Sequence, residues 1–280
     1  MSSNKVLAFH GLKWNPYSPG VPVEALHVTP HMETFCWQVE QLVNEGGFAL
    51  VTGAPGVGKS SALRILSDRL AAQRDVQVGL LSRPHARVAD FYREAGFLYG
   101  VALQPHNRWN GAKLLRERWL AHMKSALSRP VLIIDEAQEM MPAVLSELRL
   151  LISAQLDSQI LLTVVLAGDN RLADRLKSEE FLPLDSRIRV RLSLRPATHE
   201  ELRECLLQVT RKSGAIDLIS EELIPILCDR ANGNLRSLMI MANSLLSLAA
   251  QTNARRIDEK LYFEMTAQET DTKTAGKRRR

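Results

Sequence analysis

The sequence contains the octapeptide Gly53-Ala54-Pro55-Gly56-Val57-Gly58-Lys59-Ser60, from which the predicted architecture follows. The apolar run Phe48–Thr52 precedes it and apolar residues at helical spacing follow it, which predicts a strand, a glycine-rich turn and a helix in this order. Glycine allows successive backbone N–H groups to turn toward one anion, and a helix N-terminus attracts negative charge. The octapeptide therefore predicts a loop that wraps the phosphates of a nucleoside triphosphate.

A pair of acidic residues completes the predicted nucleotide site. Asp135 and Glu136 follow an apolar strand, and an aspartate at such a strand end meets the Mg²⁺ ion held by the Ser60 hydroxyl. A glutamate directly after that aspartate can polarise water for attack on the γ-phosphate, which favours ATP hydrolysis, and we expect Glu136 to be catalytic. Lys59 is expected to reach the β- and γ-phosphates. The residues predicted to bind ATP and Mg²⁺ are Gly53, Ala54, Pro55, Gly56, Val57, Gly58, Lys59, Ser60, Ser61 and Asp135, with Ser60 and Asp135 on the metal.

Four further residues are predicted to act at the γ-phosphate. The strand after the acidic pair leads to Asp169 and Asn170, and either side chain would sit beside the attacking water. Arg187 directly precedes the last predicted strand, where it can project to a neighbouring subunit and stabilise charge on the transferring phosphoryl group. Arg236 opens a helix of the C-terminal region and is predicted to reach back to the γ-phosphate.

Strands and helices alternate along the middle of the chain. The strands are near-continuous apolar runs, which is typical of a parallel sheet covered on both faces, and the predicted elements include a helix over Val144–Gln155 and a strand over Ile160–Ala167. The predicted fold class is α/β, a P-loop three-layer αβα parallel sheet followed by a small all-helical lid. The predicted parts are an irregular, proline-rich arm at 1–30, the α/β domain at 31–195, the lid at 196–268 and a basic, disordered tail at 269–280.

Positive charge is concentrated in one part of the sequence. The chain of 280 residues has a net charge of +5, whereas the segment Arg83–Arg129 holds nine basic and three acidic residues, a net charge of +6. Lysine and arginine side chains that neutralise phosphates give affinity for DNA without reading its sequence. We therefore expect non-specific binding of double-stranded DNA. The residues predicted to contact it are Arg83, Arg87, Arg108 and Lys113.

The cysteine pattern and the hydropathy indicate a cytoplasmic protein. Cys36, Cys205 and Cys228 are far apart and show neither metal-ligand spacing nor an even-numbered disulfide framework. No apolar run reaches 18 residues, and the N-terminus lacks the pattern of a secretion signal, so we expect no membrane partner.

The order of these motifs resembles that of an AAA+ ATPase. The segments that carry the resemblance are GAPGVGKS, LIIDEAQ, VVLAGDNRL, DSRI and GNLR, and the resemblance covers roughly residues 10–265. Within that superfamily, the NPYSP arm, the DEAQ variant and the AGDNRL segment are similar to the ExeA/TnsC/MuB/TniB group, whose ATPases serve DNA transposition or, for ExeA, envelope secretion. The resemblance implies that Asp169 or Asn170 is the first sensor, Arg187 the arginine supplied in trans and Arg236 the second sensor.

The resulting hypothesis is an ATP-dependent regulator of DNA transposition. It would oligomerise on target DNA, as a ring or a helical filament, and recruit an integrase-type transposase. The first alternative is an envelope-secretion ATPase like ExeA, for which we expect a transmembrane helix and a periplasmic domain after the lid. The second alternative is a replication initiator or helicase loader, for which we expect a dedicated DNA-reading domain or a helicase-docking element.

Overall fold

The computed structural model describes residues 3–103, 108–125, 128–154, 159–215 and 217–267. The chain divides into two compact units. One unit is Val28–Arg195, which we call the α/β unit. The other joins Met1–His27 to Pro196–Arg280, and we call it the helical unit. The predicted tail at 269–280 lies outside the described residues.

Seven strands lie in the α/β unit of the described chain. They are β1 Gly47–Gly53, β2 Val76–Leu81, β3 Arg129–Ile134, β4 Ser153–Ala154, β5 Gln159–Ile160, β6 Thr163–Gly168 and β7 Ile188–Leu194. Five of them form one sheet in the order β2-β3-β6-β1-β7, and every neighbouring pair is parallel. The short strands β4 and β5 form a separate antiparallel pair.

The α-helices of the described residues are numbered in chain order. They are α1 Ser3–His10, α2 Pro30–Glu45, α3 Lys59–Ala71, α4 Val88–Leu98, α5 Arg108–Ser125, α6 Pro142–Leu151, α7 Asn170–Leu176, α8 Leu182–Asp185, α9 His199–Lys212, α10 Leu223–Ala231 and α11 Leu235–Gln251. Residues 259–267 are also helical.

The sheet confirms the predicted α/β class. Strands β3 and β6 are buried almost along their whole length because helices cover both faces of the sheet, whereas the edge strand β7 alternates buried and exposed residues. Trp119 and Tyr99 are among the largest buried side chains, and their rings meet edge to face with centroids 5.3 Å apart. The Tyr99 hydroxyl donates a hydrogen bond to the Val131 carbonyl at 2.9 Å, which ties the segment after α4 to β3.

The region between α6 and β6 differs from the sequence prediction. Helix α6 ends at Leu151, and the predicted helix to Gln155 gives way to β4. The predicted strand over Ile160–Ala167 separates into β5 and β6. The Leu161 N–H donates to the Ile152 carbonyl at 2.7 Å and extends the β4–β5 pairing. Local apolar patterning does not reveal this change because buried helix and strand segments are equally apolar.

The helical unit packs its helices around an aliphatic core. Helix α9 begins with a complete capping box, in which Thr198 and Glu201 each bond the other's backbone N–H. Asn234 caps α11 by accepting a hydrogen bond from the Ser237 N–H at 3.0 Å. The fully buried core includes Leu206 on α9 and Leu245 on α11.

The N-terminal arm folds as part of the helical unit. Residues 1–30 were expected to be irregular, and that expectation is wrong for Ser3–His10, which forms α1. The physical reason is that the first proline of the chain is Pro16, so nothing interrupts a helix before it. Further along the arm, the Tyr17 hydroxyl bonds the Thr210 hydroxyl at 2.9 Å. The Asn15 side-chain amide donates to Asn243 Oδ1 at 2.7 Å, so hydrogen bonds hold the arm to both α9 and α11.

The three cysteines are free thiols. Burial raises the pKa of Cys36 to about 11, that of Cys205 to about 12 and that of Cys228 to about 11, which keeps the thiols protonated and unreactive. Within the described residues, no cluster of three or more metal-ligating side chains is present. No described helix combines the length and apolar composition needed to cross a bilayer.

Tyr17 is expected to hold the arm in place through both its ring and its hydroxyl. The side chain is only 3% exposed, so Tyr17→Ala should lower the free energy of unfolding by about 3–5 kcal/mol. Tyr17→Phe removes only the hydrogen bond with Thr210 and should cost about 1 kcal/mol. Urea denaturation followed by circular dichroism would measure both. Equal effects of the two substitutions would contradict the packing of the ring in the core.

Candidate active site

The predicted nucleotide-site residues meet at one edge of the sheet. Strands β3, β6 and β1 are neighbours and parallel, so the segments that follow them leave from the same side. The phosphate-binding octapeptide follows β1, Asp135 and Glu136 follow β3, and Asp169 follows β6. The carboxyl edge of a parallel sheet is where ligands bind in open α/β folds.

Glycine conformations shape the octapeptide. Gly56 has a φ of 86° and Gly58 a φ of 107°, values that side chains disfavour, and Gly58 is the residue before the first turn of α3. A Cβ on Gly53 would lie 2.7 Å from the Leu194 carbonyl oxygen on β7, so this position accepts only glycine without displacement of the strand. The loop therefore leads directly into a helix N-terminus, a favourable place for phosphate.

Lys59 turns its ammonium group into the loop. The residue is only 7% exposed, and its Nζ donates to the carbonyl oxygens of Gly53 at 3.0 Å and Ala54 at 3.1 Å. A buried ammonium needs hydrogen-bond acceptors, and the loop carbonyls supply them. The charge is thereby held beside the backbone that is expected to surround the phosphates.

Ser60 and Asp135 are in direct contact, although 75 residues separate them in the chain. The Ser60 hydroxyl donates to Asp135 Oδ2 at 2.9 Å. A hydroxyl and a carboxylate side by side provide the oxygen ligands that Mg²⁺ prefers, and this ion usually takes its other ligands from water and phosphate. The donor set therefore fits the predicted metal.

Glu136 is held by its backbone and by one neighbouring side chain. Its φ of 52° is a left-handed conformation that is uncommon outside glycine, and its N–H donates to Asp135 Oδ1 at 2.9 Å. The side chain is exposed, and its Oε2 accepts a hydrogen bond from Gln138 Nε2. The strained turn presents a carboxylate at the carboxyl edge of the sheet, beside the proposed metal ligands.

Asp169, which follows β6, uses its carboxylate in hydrogen bonds within its own turn. It caps α7 by accepting from the Arg171 N–H at 2.9 Å, and it accepts a second bond from Arg171 Nε at 2.8 Å. Hydrogen bonding to Asp169 raises the pKa of the Arg171 guanidinium. Asn170 is exposed in the first turn of α7. The sensor role of Asp169 or Asn170 stays a prediction.

The two arginines predicted for the γ-phosphate lie in different units. Arg187 follows α8, and its Nη1 donates to the Pro183 carbonyl at 2.6 Å. Arg236 is exposed in the first turn of α11 in the helical unit. Their roles at the phosphate stay predictions.

The predicted DNA contacts lie on the segments that follow β2. Arg83 and Arg87 are exposed between β2 and α4, and within the described residues neither guanidinium is paired. Lys113 lies on α5, has a side chain that is 72% exposed and pairs with Glu117 at 3.8 Å. Arg108 begins α5, but its side chain lies outside the described part of the chain.

Sequence reasoning missed Gln138 and Arg175. Gln138 contacts both Glu136 and the end of β6, and Arg175 donates to the carbonyl oxygens of Gln138 at 3.2 Å and Met140 at 2.6 Å. The sequence signal for Gln138 was its place in the DEAQ segment, two residues after Glu136. No sequence signal indicated Arg175, because the two carbonyl groups that it contacts lie more than 30 residues earlier in the chain.

Two comparisons relate the sequence of this chain to known proteins. Residues 43–176 match the family model described as the AAA domain. General secretion pathway protein A of Aeromonas hydrophila is 29% identical over 247 residues, which cover 80% of this chain and 43% of that protein. The chain therefore spans less than half the length of this relative.

Solved structures share the fold at low sequence identity. Cdc6p from Pyrobaculum aerophilum superposes with a TM-score of 0.70 and 18% identity, over 86% of this chain and 67% of that chain. The Aeropyrum pernix ORC1 protein in complex with DNA superposes with a TM-score of 0.68 and 17% identity, over 90% and 68% of the two chains. The α/β unit thus has the P-loop AAA+ fold.

Glu136→Gln is expected to keep nucleotide binding and to stop hydrolysis. The amide has the shape of the carboxylate but cannot accept a proton from water, so kcat should fall by about 100-fold or more. Phosphate release would measure the rate, and a fluorescent ATP analogue would measure affinity. Lys59→Ala is the contrasting variant, because it should lose affinity itself. Parental turnover by Glu136→Gln would refute the catalytic role of Glu136.

Proposed function

We propose that this protein is an ATP- and Mg²⁺-dependent regulator of DNA transposition that binds DNA without sequence preference. It would oligomerise on target DNA and recruit or activate an integrase-type transposase. The observation that carries the ATP-dependent part is the 2.9 Å hydrogen bond from Ser60 to Asp135 beside Lys59 and Glu136. The further steps rest on exposed positive charge and on the resemblance to transposition ATPases.

The residues at the sheet edge divide the chemistry among them. Lys59 would bind the β- and γ-phosphates, while Ser60 and Asp135 would hold Mg²⁺, which neutralises charge on the phosphate oxygens when it is bound. Glu136 would accept a proton from water as the water oxygen forms a bond to the γ-phosphorus. The bond from the γ-phosphorus to the ADP oxygen breaks, and ADP and phosphate are the products.

DNA binding is assigned to the basic segment after β2. Arg83 and Arg87 emerge at the carboxyl end of β2, which is the edge of the sheet that also carries the nucleotide site. Unpaired exposed guanidinium groups are available to phosphate, and Arg108 and Lys113 would extend the contact. Support at the level of fold comes from the ORC1 protein, whose structure is a complex with DNA.

Oligomerisation would depend on the bound nucleotide. Arg187 would reach the γ-phosphate of a neighbouring subunit, so each site would be completed by a second copy of the chain, in a ring or a helical filament. Asn170 or Asp169 and Arg236 would report the nucleotide state from the same subunit. We place the protein in the cytoplasm, where both ATP and DNA are present.

A second candidate function is an ATPase of envelope secretion. The observation that favours it is the 29% identity with general secretion pathway protein A across 80% of this chain. Because the chain spans only 43% of that protein, the identity supports a shared ATPase part and leaves the partner open. The replication-initiator alternative has support from the fold alone.

Assembly on DNA is the experiment that tests the proposed function. In sedimentation-velocity runs we expect large complexes only when ATP, Mg²⁺ and duplex DNA are all present. The reason is that the nucleotide would join neighbouring subunits and the DNA would bind them side by side. Glu136→Gln should make those complexes long-lived. Assembly that requires ATP but does not require DNA would favour the secretion function. Assembly that depends on neither ATP nor DNA would refute both proposed functions.

Removal of the two unpaired arginines is expected to weaken DNA binding in a salt-dependent manner. Each lost phosphate contact should reduce the slope of log K against log salt by about 0.9, so Arg83→Ala with Arg87→Ala should reduce it by about 2. Fluorescence anisotropy with duplexes of two unrelated sequences would measure this. The matched control is Arg189→Ala on the edge strand β7, an exposed arginine paired with Glu45. Equal slopes for the double variant and the control would place the DNA elsewhere.

A further inference from the structure

The side-chain amide of Gln138 connects two neighbouring strand ends. Its Nε2 donates a hydrogen bond to Glu136 Oε2, after β3. Its Oε1 accepts a hydrogen bond from the Asp169 N–H at 3.2 Å, at the end of β6. A primary amide is suited to this position because it offers a donor and an acceptor on one planar group.

The backbone of Gln138 is anchored, so the reach of its side chain is limited. The residue lies in a 3₁₀ turn over Ala137–Glu139, between the buried side chains of Ala137 and Met140. Arg175 donates to the Gln138 carbonyl at 3.2 Å and lies over the Phe181 ring at 5.1 Å. A fixed backbone and two hydrogen bonds leave the amide little freedom to move.

Gly168 provides the space that the amide occupies. A Cβ on this residue would lie 2.5 Å from Gln138 Oε1, which is too close for any contact, and 2.8 Å from Leu172 Cδ2. The φ of Gly168 is not in the left-handed region, so backbone conformation is not the reason for glycine here. The lack of a side chain at position 168 therefore allows the contact between Gln138 and β6.

Among the described residues, the Glu136 carboxylate is held in place by Gln138 alone. Its side chain is exposed, and within the part of the chain that the structure describes, Gln138 is the one residue that hydrogen-bonds it. An exposed glutamate has several rotamers of similar energy, and ordering such a side chain has an entropic cost. The hydrogen bond from Gln138 selects one of these positions and leaves the second carboxylate oxygen available to water.

We propose that Gln138 is the positioning residue of Glu136, which it joins to the carboxyl end of β6. Gln138 does not touch the reacting atoms and acts through the Glu136 carboxylate. The same bridge makes the position of Glu136 depend on β6, the strand that leads to Asp169 and Asn170. This inference rests on the proposed hydrolysis of ATP by the same site.

The test compares turnover with nucleotide affinity in the full chain. Gln138→Ala removes the bridge, and Gln138→Glu keeps its size and its acceptor but replaces the donor with a carboxylate. We expect kcat to fall roughly tenfold or more in both, since misplacement of a catalytic group by about 1 Å is that costly. The affinity for the fluorescent ATP analogue should stay within about twofold of the parent, because neither Lys59 nor Ser60 is touched.

The control is Glu139→Gln in the same turn. Its side chain is 50% exposed and pairs with Arg171. Only its backbone N–H bonds Glu136, at the carbonyl, and this bond survives the substitution, so the parental kcat is expected. A fall in kcat of similar size for this variant would mean that the turn matters as a whole and would overturn the proposal.

A second variant displaces the amide without altering Gln138 itself. Gly168→Ala should lower kcat to a similar degree, because its Cβ takes the place of Oε1. Combined with Gln138→Ala, it should cause little further loss in kcat, since the group it displaces is already gone. Thermal unfolding of each variant would separate this result from a general loss of stability caused by contact with Leu172.

The outcomes separate this inference from the proposed function. If the parental chain hydrolyses ATP and both Gln138 variants keep or raise its kcat, the positioning role is overturned and the ATPase assignment stands. Multiplicative effects of Gly168→Ala and Gln138→Ala would also overturn it. If the parental chain does not hydrolyse ATP with Mg²⁺, the proposed function fails, and the inference fails with it.

Discussion

The hydrogen bond between Ser60 and Asp135 is the contact on which the rest of the site depends. It joins the start of α3 to the end of β3, although β6 lies between β1 and β3 in the sheet. The contact is possible because the strands are parallel and in register, with Ile134 opposite Leu166 and Thr52 opposite Gly168. The other oxygen of the Asp135 carboxylate accepts a hydrogen bond from the Glu136 N–H, so the same aspartate also holds the backbone of Glu136.

The middle strand of the three also takes part in the site. Strand β6 supplies no metal ligand in our proposal, but its last residues contact Gln138, which contacts Glu136. Asp169 is occupied as the cap of α7 and as the partner of Arg171. A motion at the end of β6 would therefore move the Asp169 N–H, the Gln138 amide bonded to it and the Glu136 carboxylate bonded to that amide. The Asp169 side chain takes no part in this connection.

The helical unit shows why a proline-rich arm can still be ordered. Tyr17 and Asn15 lie outside regular secondary structure, and their side chains hydrogen-bond α9 and α11 instead. Burial raises the pKa of the Tyr17 hydroxyl well above its usual range. The prediction that residues 1–30 lack a helix was wrong, since an argument from prolines applies only near them. The hydrogen-bond partners of Tyr17 and Asn15 lie about 200 residues away in the chain, so no local pattern indicated them.

The sequence alone determined the alternation of strands and helices in the α/β unit, the phosphate-binding octapeptide and the acidic pair, because these depend on local patterns of glycine and apolar residues. It did not reveal α1 or the β4–β5 pair. The parallel sheet of the AAA+ fold was predicted and is confirmed. Only the tertiary structure decided that Gln138 bridges two strands and that Gly168 makes room for it. The contacts of Gln138 with Asp169 and Gly168 join residues about 30 positions apart in the chain. Their geometry arises from strand register and helix packing, which no local pattern encodes.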